Sequence, residues 1–291
     1  MDQPINLGTE MVDPVSGANF SQLLNSINRN RSSLQGSLER IASGRKLNRA
    51  GTDPAASALS AQLQSEISAL TQSVQNVESG TNFVRTADGG LAGIADLVNR
   101  GRELAIQSSN GTLNDSQRET LNQEFGQVQS EIDRITGSLQ FNDRNLLDGT
   151  LGQDADPVNI QAGTGSGPNN QISLNVVEST STESLGIANS DISTTEGALQ
   201  AIDSFEQASQ TLNAARGQVG AIGNQLASTA NSLNTQIENL TRSESSLADT
   251  DLAEEITNLQ QGLLRFETSI RALSSQLQNE QSRSRLLDFT I

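Results

Sequence analysis

The sequence predicts a mainly α protein, an elongated antiparallel helical rod with terminal coiled-coil helices and a small central β-hairpin region. Apolar residues recur at helical spacing over both ends of the 291-residue chain and along most of its middle. The period changes to two only between about residues 138 and 192, where Gly, Asn, Asp and Pro are dense. With 34% hydrophobic and 2% aromatic residues, the composition suits long amphipathic helices better than a thick globular core.

The first predicted segment, residues 1–50, is an N-terminal coiled-coil segment. Its apolar residues alternate at spacings of three and four, and Arg31 is the only polar side chain in the series. Such spacing keeps one stripe of a helix facing a neighbouring helix. Gly44 and Gly51 then interrupt the helix. The predicted assembly contacts are Leu24, Ile27, Leu34, Leu38 and Ile41.

The second predicted segment, residues 51–137, contains two helices. Asp53 as N-cap and Pro54 at the first helical position predict the start of a long helix that reaches about residue 107. Asn110 and Gly111 end it. Asp115 then predicts the start of an antiparallel return helix, which stops near residue 137.

Two further segments complete the middle of the chain. Residues 138–195 form a β-hairpin tip, with alternation at Val158 and Ile160 and again at Ile172, Leu174 and Val176. The glycines of this tip lack the spacing and the strand-to-helix setting of a phosphate-binding loop, so we predict no nucleotide site. A capping box formed by Ser193 and Glu196 predicts the returning helix over 196–246.

The last segment, residues 247–291, is the predicted C-terminal coiled-coil segment, started by Asp251 and Glu254. Burying the regularly spaced apolar side chains of this segment stabilises it by at most about 12–24 kcal/mol. Ordering a helix of roughly 35 residues costs about 1–2 kcal/mol per residue in backbone entropy. We therefore expect both ends to order when they meet each other and neighbouring copies. The predicted assembly contacts are Leu252, Ile256, Leu259, Leu263, Phe266, Ile270, Leu273 and Leu277.

The composition argues against an enzyme. The chain has no His, Cys, Trp or Tyr, so thiolate nucleophiles, imidazole bases, structural zinc sites and disulfides are excluded. Lys46 is the only lysine, and it has no partner set for catalysis around it. We predict no catalytic residue, no metal ligand and no cofactor.

Charge and hydropathy exclude two further classes. The formal net charge is -16, and residues 51–248 hold 23 acidic and eight basic side chains, which argues against nucleic-acid binding. No stretch reaches the 18 apolar residues of a membrane span, and residues 1–20 lack a basic region followed by an apolar run. We therefore expect no membrane insertion and no cleavable signal peptide.

Three motifs then resemble a known family. They are LERIASGRKLNRA at 38–50, continued by Asp53; RELAIQS at 102–108; and QFN at 140–142 with NLLDG at 145–149. In this order, and on these elements, they resemble bacterial flagellin over nearly the whole chain. Only about 55 residues lie between the helical halves, so the chain resembles the minimal form with core domains alone.

The resemblance implies a structural subunit of the extracellular flagellar filament, which self-polymerises through its N- and C-terminal helices to serve motility. It implies that the coiled-coil segments 1–50 and 247–291 form an inner core and that the helices of 51–137 and 196–246 form the outer core around it. It also implies type III export without a cleavable signal peptide. Implied partners are further copies of the chain, an export chaperone, the filament cap, hook-junction proteins and the innate immune receptor for flagellin. The receptor footprint carries over to Arg100, Leu104 and Glu124, which also suit helix packing or a subunit interface.

Two alternatives stay open from the sequence. The ending LLDFTI at 286–291 and the turn NGTL at 110–113 are similar to those of the hook-filament junction protein, a relative of flagellin. A cytoplasmic coiled-coil signalling rod would share the heptads and the acidity. It does not predict the central hairpin, and it would stay inside the cell.

Overall fold

The computed structural model describes residues 14–49, 51, 53–152, 157–175 and 177–288. In this part of the chain the helices are α1 (Pro14–Ser43), α2 (Pro54–Ser108), α3 (Asp115–Ser138), α4 (Thr195–Ala248) and α5 (Leu252–Asp288). The strands are β1 (Gln140–Phe141), β2 (Arg144–Asn145), β3 (Asn159–Gln161) and β4 (Gln171–Ser173), with a 3-10 turn at Pro168–Asn170. The predicted mainly α class with a small central hairpin region is confirmed.

Helix starts follow local capping chemistry. The Asp53 carboxylate accepts a hydrogen bond from the Ala56 amide at 3.0 Å, so α2 begins at Pro54 as predicted. The N-cap of α3 is Asn114, which forms a reciprocal capping box with Gln117. Asp251 Oδ1 accepts from the amide of Ala253 at 2.9 Å and opens α5.

The predicted Ser193 cap is wrong by one residue. Thr194 Oγ1 accepts the Gly197 amide at 3.0 Å, so Thr194 caps α4. The Ser193 amide instead donates to Asp191 Oδ1 at 2.7 Å. Ser193 is therefore held in the preceding turn, and the helix starts after it.

Both hairpins are antiparallel and short. β3 pairs with β4 with Ile160 opposite Ile172, which confirms the predicted alternation there; Val176 lies outside the described residues. β1 pairs with β2 across Asn142 and Asp143, whose φ angles of 51° and 60° are left-handed. Such angles suit a two-residue turn between twisted strands. The sequence prediction did not include this first hairpin.

The chain divides into two compact units, and the finer division into five segments stays a prediction. The central unit, 64–241, holds a continuous apolar core built from α2, α3, α4 and the hairpin region. The rings of Phe125 and Phe205 lie 5.0 Å apart in this core. The terminal unit comprises 1–63 and 242–291, and α1 packs against α5 within it.

Candidate assembly surface

The seam between α1 and α5 is the basis of the terminal unit. Asn30 Nδ2 donates to Ser269 Oγ at 3.3 Å, and Arg40 contacts Glu255 at 2.7 Å. Rising numbers on α1 thus meet falling numbers on α5, so the helices run antiparallel. A Cβ atom on Gly262 would lie 2.8 Å from Leu34 Cδ2, so the helices approach closely at this glycine.

Polar pairs interrupt the seam. Glu255 is 8% exposed and Ser37 is 4% exposed. The hydrogen bond from Arg40 holds the pKa of Glu255 below its ordinary value; burial opposes this shift, and a hydrogen bond from Ser37 supports it. Buried polar pairs of this kind favour one register of two helices over its neighbours, because any shift leaves a charge or an amide without its partner.

The predicted assembly contacts lie on two different faces of α1 and α5. Six of them are partly buried in the seam within one chain; these are Ile27, Leu34, Ile41, Leu259, Phe266 and Leu273. The other seven are exposed by 38–53%; these are Leu24, Leu38, Leu252, Ile256, Leu263, Ile270 and Leu277. Each end therefore contacts its own chain with one stripe and presents a second stripe to solvent.

The exposed stripe lies along one side of the α1–α5 pair, and we call it the apolar edge. On α5, Leu263 and Ile270 follow the seam residues Leu259 and Phe266 by four positions, or about 40° around the helix. Leu38 follows Leu34 on α1 in the same way. In an antiparallel pair such equivalent flanks lie on the same side. A contiguous row of exposed Leu and Ile side chains is typical of a surface that another protein covers.

The turn between α1 and α2 is clamped to the junction between α4 and α5. The Lys46 amide donates to Ala248 O at 2.6 Å, and the Thr250 amide donates to Gly44 O at 3.0 Å. Gly44 has a φ of 68°, which favours glycine. Residues 44–49 of the motif therefore form a fixed turn that holds the end of α1 close to the start of α5.

Side chains of α2 and α4 reinforce this clamp. Glu244 accepts hydrogen bonds from Arg45 at 3.0 Å and from Ser60 at 2.9 Å. Sequence reasoning missed Ser60 and Glu244, because nothing local marks residues so far apart as partners. It also missed Glu255, although this residue continues the helical series through Leu259 and Gly262.

The structure separates the predicted receptor residues of the central unit. Arg100 Nε donates to Glu124 Oε1 at 3.1 Å, and Arg100 Nη1 donates to Glu103 at 3.2 Å. The hydrogen bond to Glu124, followed by that to Glu103, raises the pKa of Arg100. Both side chains of the Arg100–Glu124 pair are about half exposed, whereas Leu104 is fully buried. Arg100 and Glu124 are thus surface neighbours, and Leu104 belongs to the core.

Other site chemistries find little support in the described part of the chain. It contains no group of three or more Asp, Glu, His or Cys side chains placed to hold a metal ion. None of its helices combines the length and apolar character needed to cross a membrane.

Comparison with known proteins places the chain in a family. The model of the bacterial flagellin N-terminal helical region matches residues 17–151, and the model of the C-terminal helical region matches 199–287. The chain belongs to the bacterial flagellin family. The two matched regions include all of α2 and α3 and most of α1, α4 and α5.

Individual relatives agree with this family. A flagellin of Halalkalibacterium halodurans is 35% identical over 76% of this chain and 80% of its own length. A flagellar filament 30.7 kDa core protein of Treponema maltophilum is 31% identical over 84% of this chain and 89% of its own. A solved structure from Vibrio parahaemolyticus, described provisionally as a flagellar hook-associated protein, has a TM-score of 0.56 at 15% identity. It covers 68% of this chain and 100% of that one, and at this identity it shows a shared fold alone.

Proposed function

We propose that the chain is a structural subunit of the bacterial flagellar filament, which polymerises with copies of itself through α1 and α5 and serves motility. The observation that carries this proposal is the apolar edge, a row of half-exposed Leu and Ile side chains beside a seam already closed within the chain. Covering each half-exposed side chain contributes about 1 kcal/mol. A lattice repeats that gain in every copy, so assembly stabilises what the monomer leaves in water.

The filament location follows from the family. The relative from T. maltophilum is a filament core protein, and this chain spans most of its length. A subunit of the filament lies outside the cell, which disfavours the cytoplasmic signalling rod. The hook-filament junction protein is a relative of flagellin, but the two relatives reported above, at 35% and 31% identity, are a flagellin and a flagellar filament core protein.

Further partners are those expected of a filament subunit. They are the export chaperone, the filament cap, the hook-junction proteins and the innate immune receptor for flagellin. For the receptor, the exposed pair of Arg100 and Glu124 is the accessible part of the predicted footprint. Leu104 is fully buried in the core, so its side chain is not directly accessible to a receptor in the folded chain.

The test is a charge placed on the apolar edge. Leu263→Asp introduces a carboxylate where the neighbouring copy would pack, so we expect purified monomer to form no long filaments by negative-stain electron microscopy after salting-out. Leu263 is 52% exposed, so the helix content of the monomer should not change. Wild-type protein should form long, uniform filaments under the same conditions.

The matched control is Leu199→Asp on α4. Leu199 is 54% exposed, and its neighbour seven residues further along α4 is Glu206, so it belongs to no apolar row. This variant should polymerise like the wild type. Normal filaments from Leu263→Asp would contradict assembly through the apolar edge, and short caps or persistent monomers from the wild type would favour the junction protein.

A further inference from the structure

The α1–α5 pair has a second, polar edge on the side opposite the apolar edge. On α5, Asn258 precedes the seam residue Leu259 by one position, and Arg265 precedes the seam residue Phe266 in the same way. One position is about 100° around the helix, here on the side away from Leu263 and Ile270. Ser33 and Arg40 have the same relation to Leu34 and Ile41 on α1. These flanking residues line a common groove, with Asn30 and Gln261 at its sides.

The groove presents hydrogen-bond donors and positive charge. Its lining carries two guanidinium groups, three side-chain amides and serine hydroxyls, and no carboxylate. Arg40 is already paired with Glu255 at 2.7 Å. Arg265 makes no side-chain hydrogen bond or ion pair with any of the described residues, so the groove keeps one unmatched positive charge.

The size of the groove leaves room for an incoming side chain. Its volume is about 280 Å³, several times the roughly 30 Å³ that a water molecule occupies in the liquid. An arginine fork beside amide donors matches the two oxygens of a carboxylate, and charge-assisted hydrogen bonds of this kind are about twice as strong as neutral ones. An aliphatic side chain in the same place would leave these donors without acceptors.

The charge of the chain identifies the source of that carboxylate. The sequence has 34 Asp and Glu against 18 Lys and Arg, so copies of the chain meet one another with a large excess of acidic groups. A lattice also has to offset repulsion between copies of net charge -16. A donor-rich groove on each copy would offset part of it.

This inference rests on the proposed function. We propose that the groove described above, which we call the Arg265 groove, receives an acidic side chain from a neighbouring copy of this chain. The apolar edge then supplies cohesion between copies, and the Arg265 groove fixes which lateral and axial placement of copies is allowed. A shifted neighbour would leave Arg265 and its own carboxylate unmatched. Charge pairing of this kind selects one arrangement more than it adds net affinity.

The test compares Arg265→Gln and Arg265→Glu with a matched control, Arg271→Gln. Arg271 lies on the same helix, is 78% exposed and pairs with Glu267 within its own chain. Each pure variant is salted out to equilibrium, and the concentration left in the supernatant after pelleting the filaments gives the critical concentration. Circular dichroism of each monomer checks that helix content is unchanged.

We expect Arg265→Gln to raise the critical concentration by about tenfold or more, the ratio that loss of a hydrogen bond to a charged group produces. Arg265→Glu should raise it further, because it adds repulsion. The critical concentration of Arg271→Gln should stay near the wild-type value. As NaCl is added, the ratio of the critical concentration of Arg265→Gln to that of the wild type should fall toward one, since salt screens the interaction that the variant lacks.

Other outcomes separate this inference from the proposed function. Wild-type filaments with unchanged critical concentrations in both Arg265 variants would overturn the groove alone. An equal loss in Arg271→Gln would also overturn it, since the effect would then follow general surface charge. A wild-type chain that forms no filaments would overturn the proposed function and the groove together.

Discussion

At the scale of single residues, Gly101 shows how the core of the central unit depends on a missing side chain. A Cβ atom at this buried position of α2 would overlap the ring of Phe205 on α4. Phe205 in turn contacts Phe125 on α3, at 5.0 Å between ring centroids. One glycine thus allows three helices to share two aromatic rings, which bury more apolar area than any other side chains available in a chain without Trp or Tyr.

We therefore expect Gly101→Val to lower the free energy of unfolding of the central unit by about 1–3 kcal/mol, the range for an overpacked core. Phe205→Leu removes the obstructing ring atoms, so the double variant should recover about 1 kcal/mol or more relative to the sum of the single changes. Urea unfolding followed by circular dichroism measures all three. Gly89→Val on the same helix has no atom within 4 Å of its new Cβ and should change the free energy by less than about 0.5 kcal/mol. Strict additivity of Gly101→Val and Phe205→Leu would refute the steric account.

At the scale of elements, the Arg40–Glu255 pair links the stability of the α1–α5 seam to pH. The pKa of Glu255 is lowered in the folded chain from its ordinary value of 4.5, chiefly by the hydrogen bond from Arg40. A carboxylate with a lowered folded pKa stabilises the folded state above its unfolded pKa. That contribution is lost as the pH falls below about 4.5 through the folded value.

We expect acid to weaken the seam less in Glu255→Gln than in the wild type. The measurement is hydrogen exchange of the α1 amides at pH 7 and near pH 3.5, corrected for the intrinsic exchange rates. At pH 7 the variant should already exchange faster, because Arg40 has lost its carboxylate partner. Glu254→Gln is the control, because its side chain bonds to none of the described residues. A pH response in Glu255→Gln as large as that of the wild type would assign the effect to other carboxylates.

Elements were the part of the structure that the sequence predicted best. Periodicity alone identified the long helices, because a stripe repeated over many turns has few alternative structures. The cap of α4 was wrong because Ser193 and Thr194 can both cap, and the prediction did not include the turn in which the Ser193 amide donates to Asp191 Oδ1, leaving Thr194 as the cap. The sequence could not show which apolar residues of α5 face α1 and which face solvent, since a spacing of three and four fits both sets. The close approach of Gly262 to Leu34 identifies the face that packs against α1.

At the scale of the whole molecule, the two units differ in how much apolar surface they bury. The continuous core lies within 64–241 and includes side chains such as Leu91, Ile94 and Phe205 that are fully buried. In the described part of the terminal unit, Ala248 is the only hydrophobic residue whose side chain is fully buried. The seam of α1 and α5 is instead half-buried and interrupted by polar pairs. Local opening is governed by such differences in burial, so the terminal unit should open more often than the central one.

Limited trypsin digestion of the monomer should therefore cleave at Arg29, Arg31 and Arg265 well before Arg85, Arg100 or Arg118. Cleavable residues occur in both units, so the order reports opening and not the distribution of sites. Each 1.4 kcal/mol of difference in opening free energy changes the cleavage rate about tenfold when reclosing is fast. Assembly should slow cleavage at Arg29, Arg31 and Arg265 strongly, because neighbouring copies bind only the closed helices. Equal protection of these sites in monomer and filament, measured by mass spectrometry of the fragments, would mean that assembly does not cover α1 and α5.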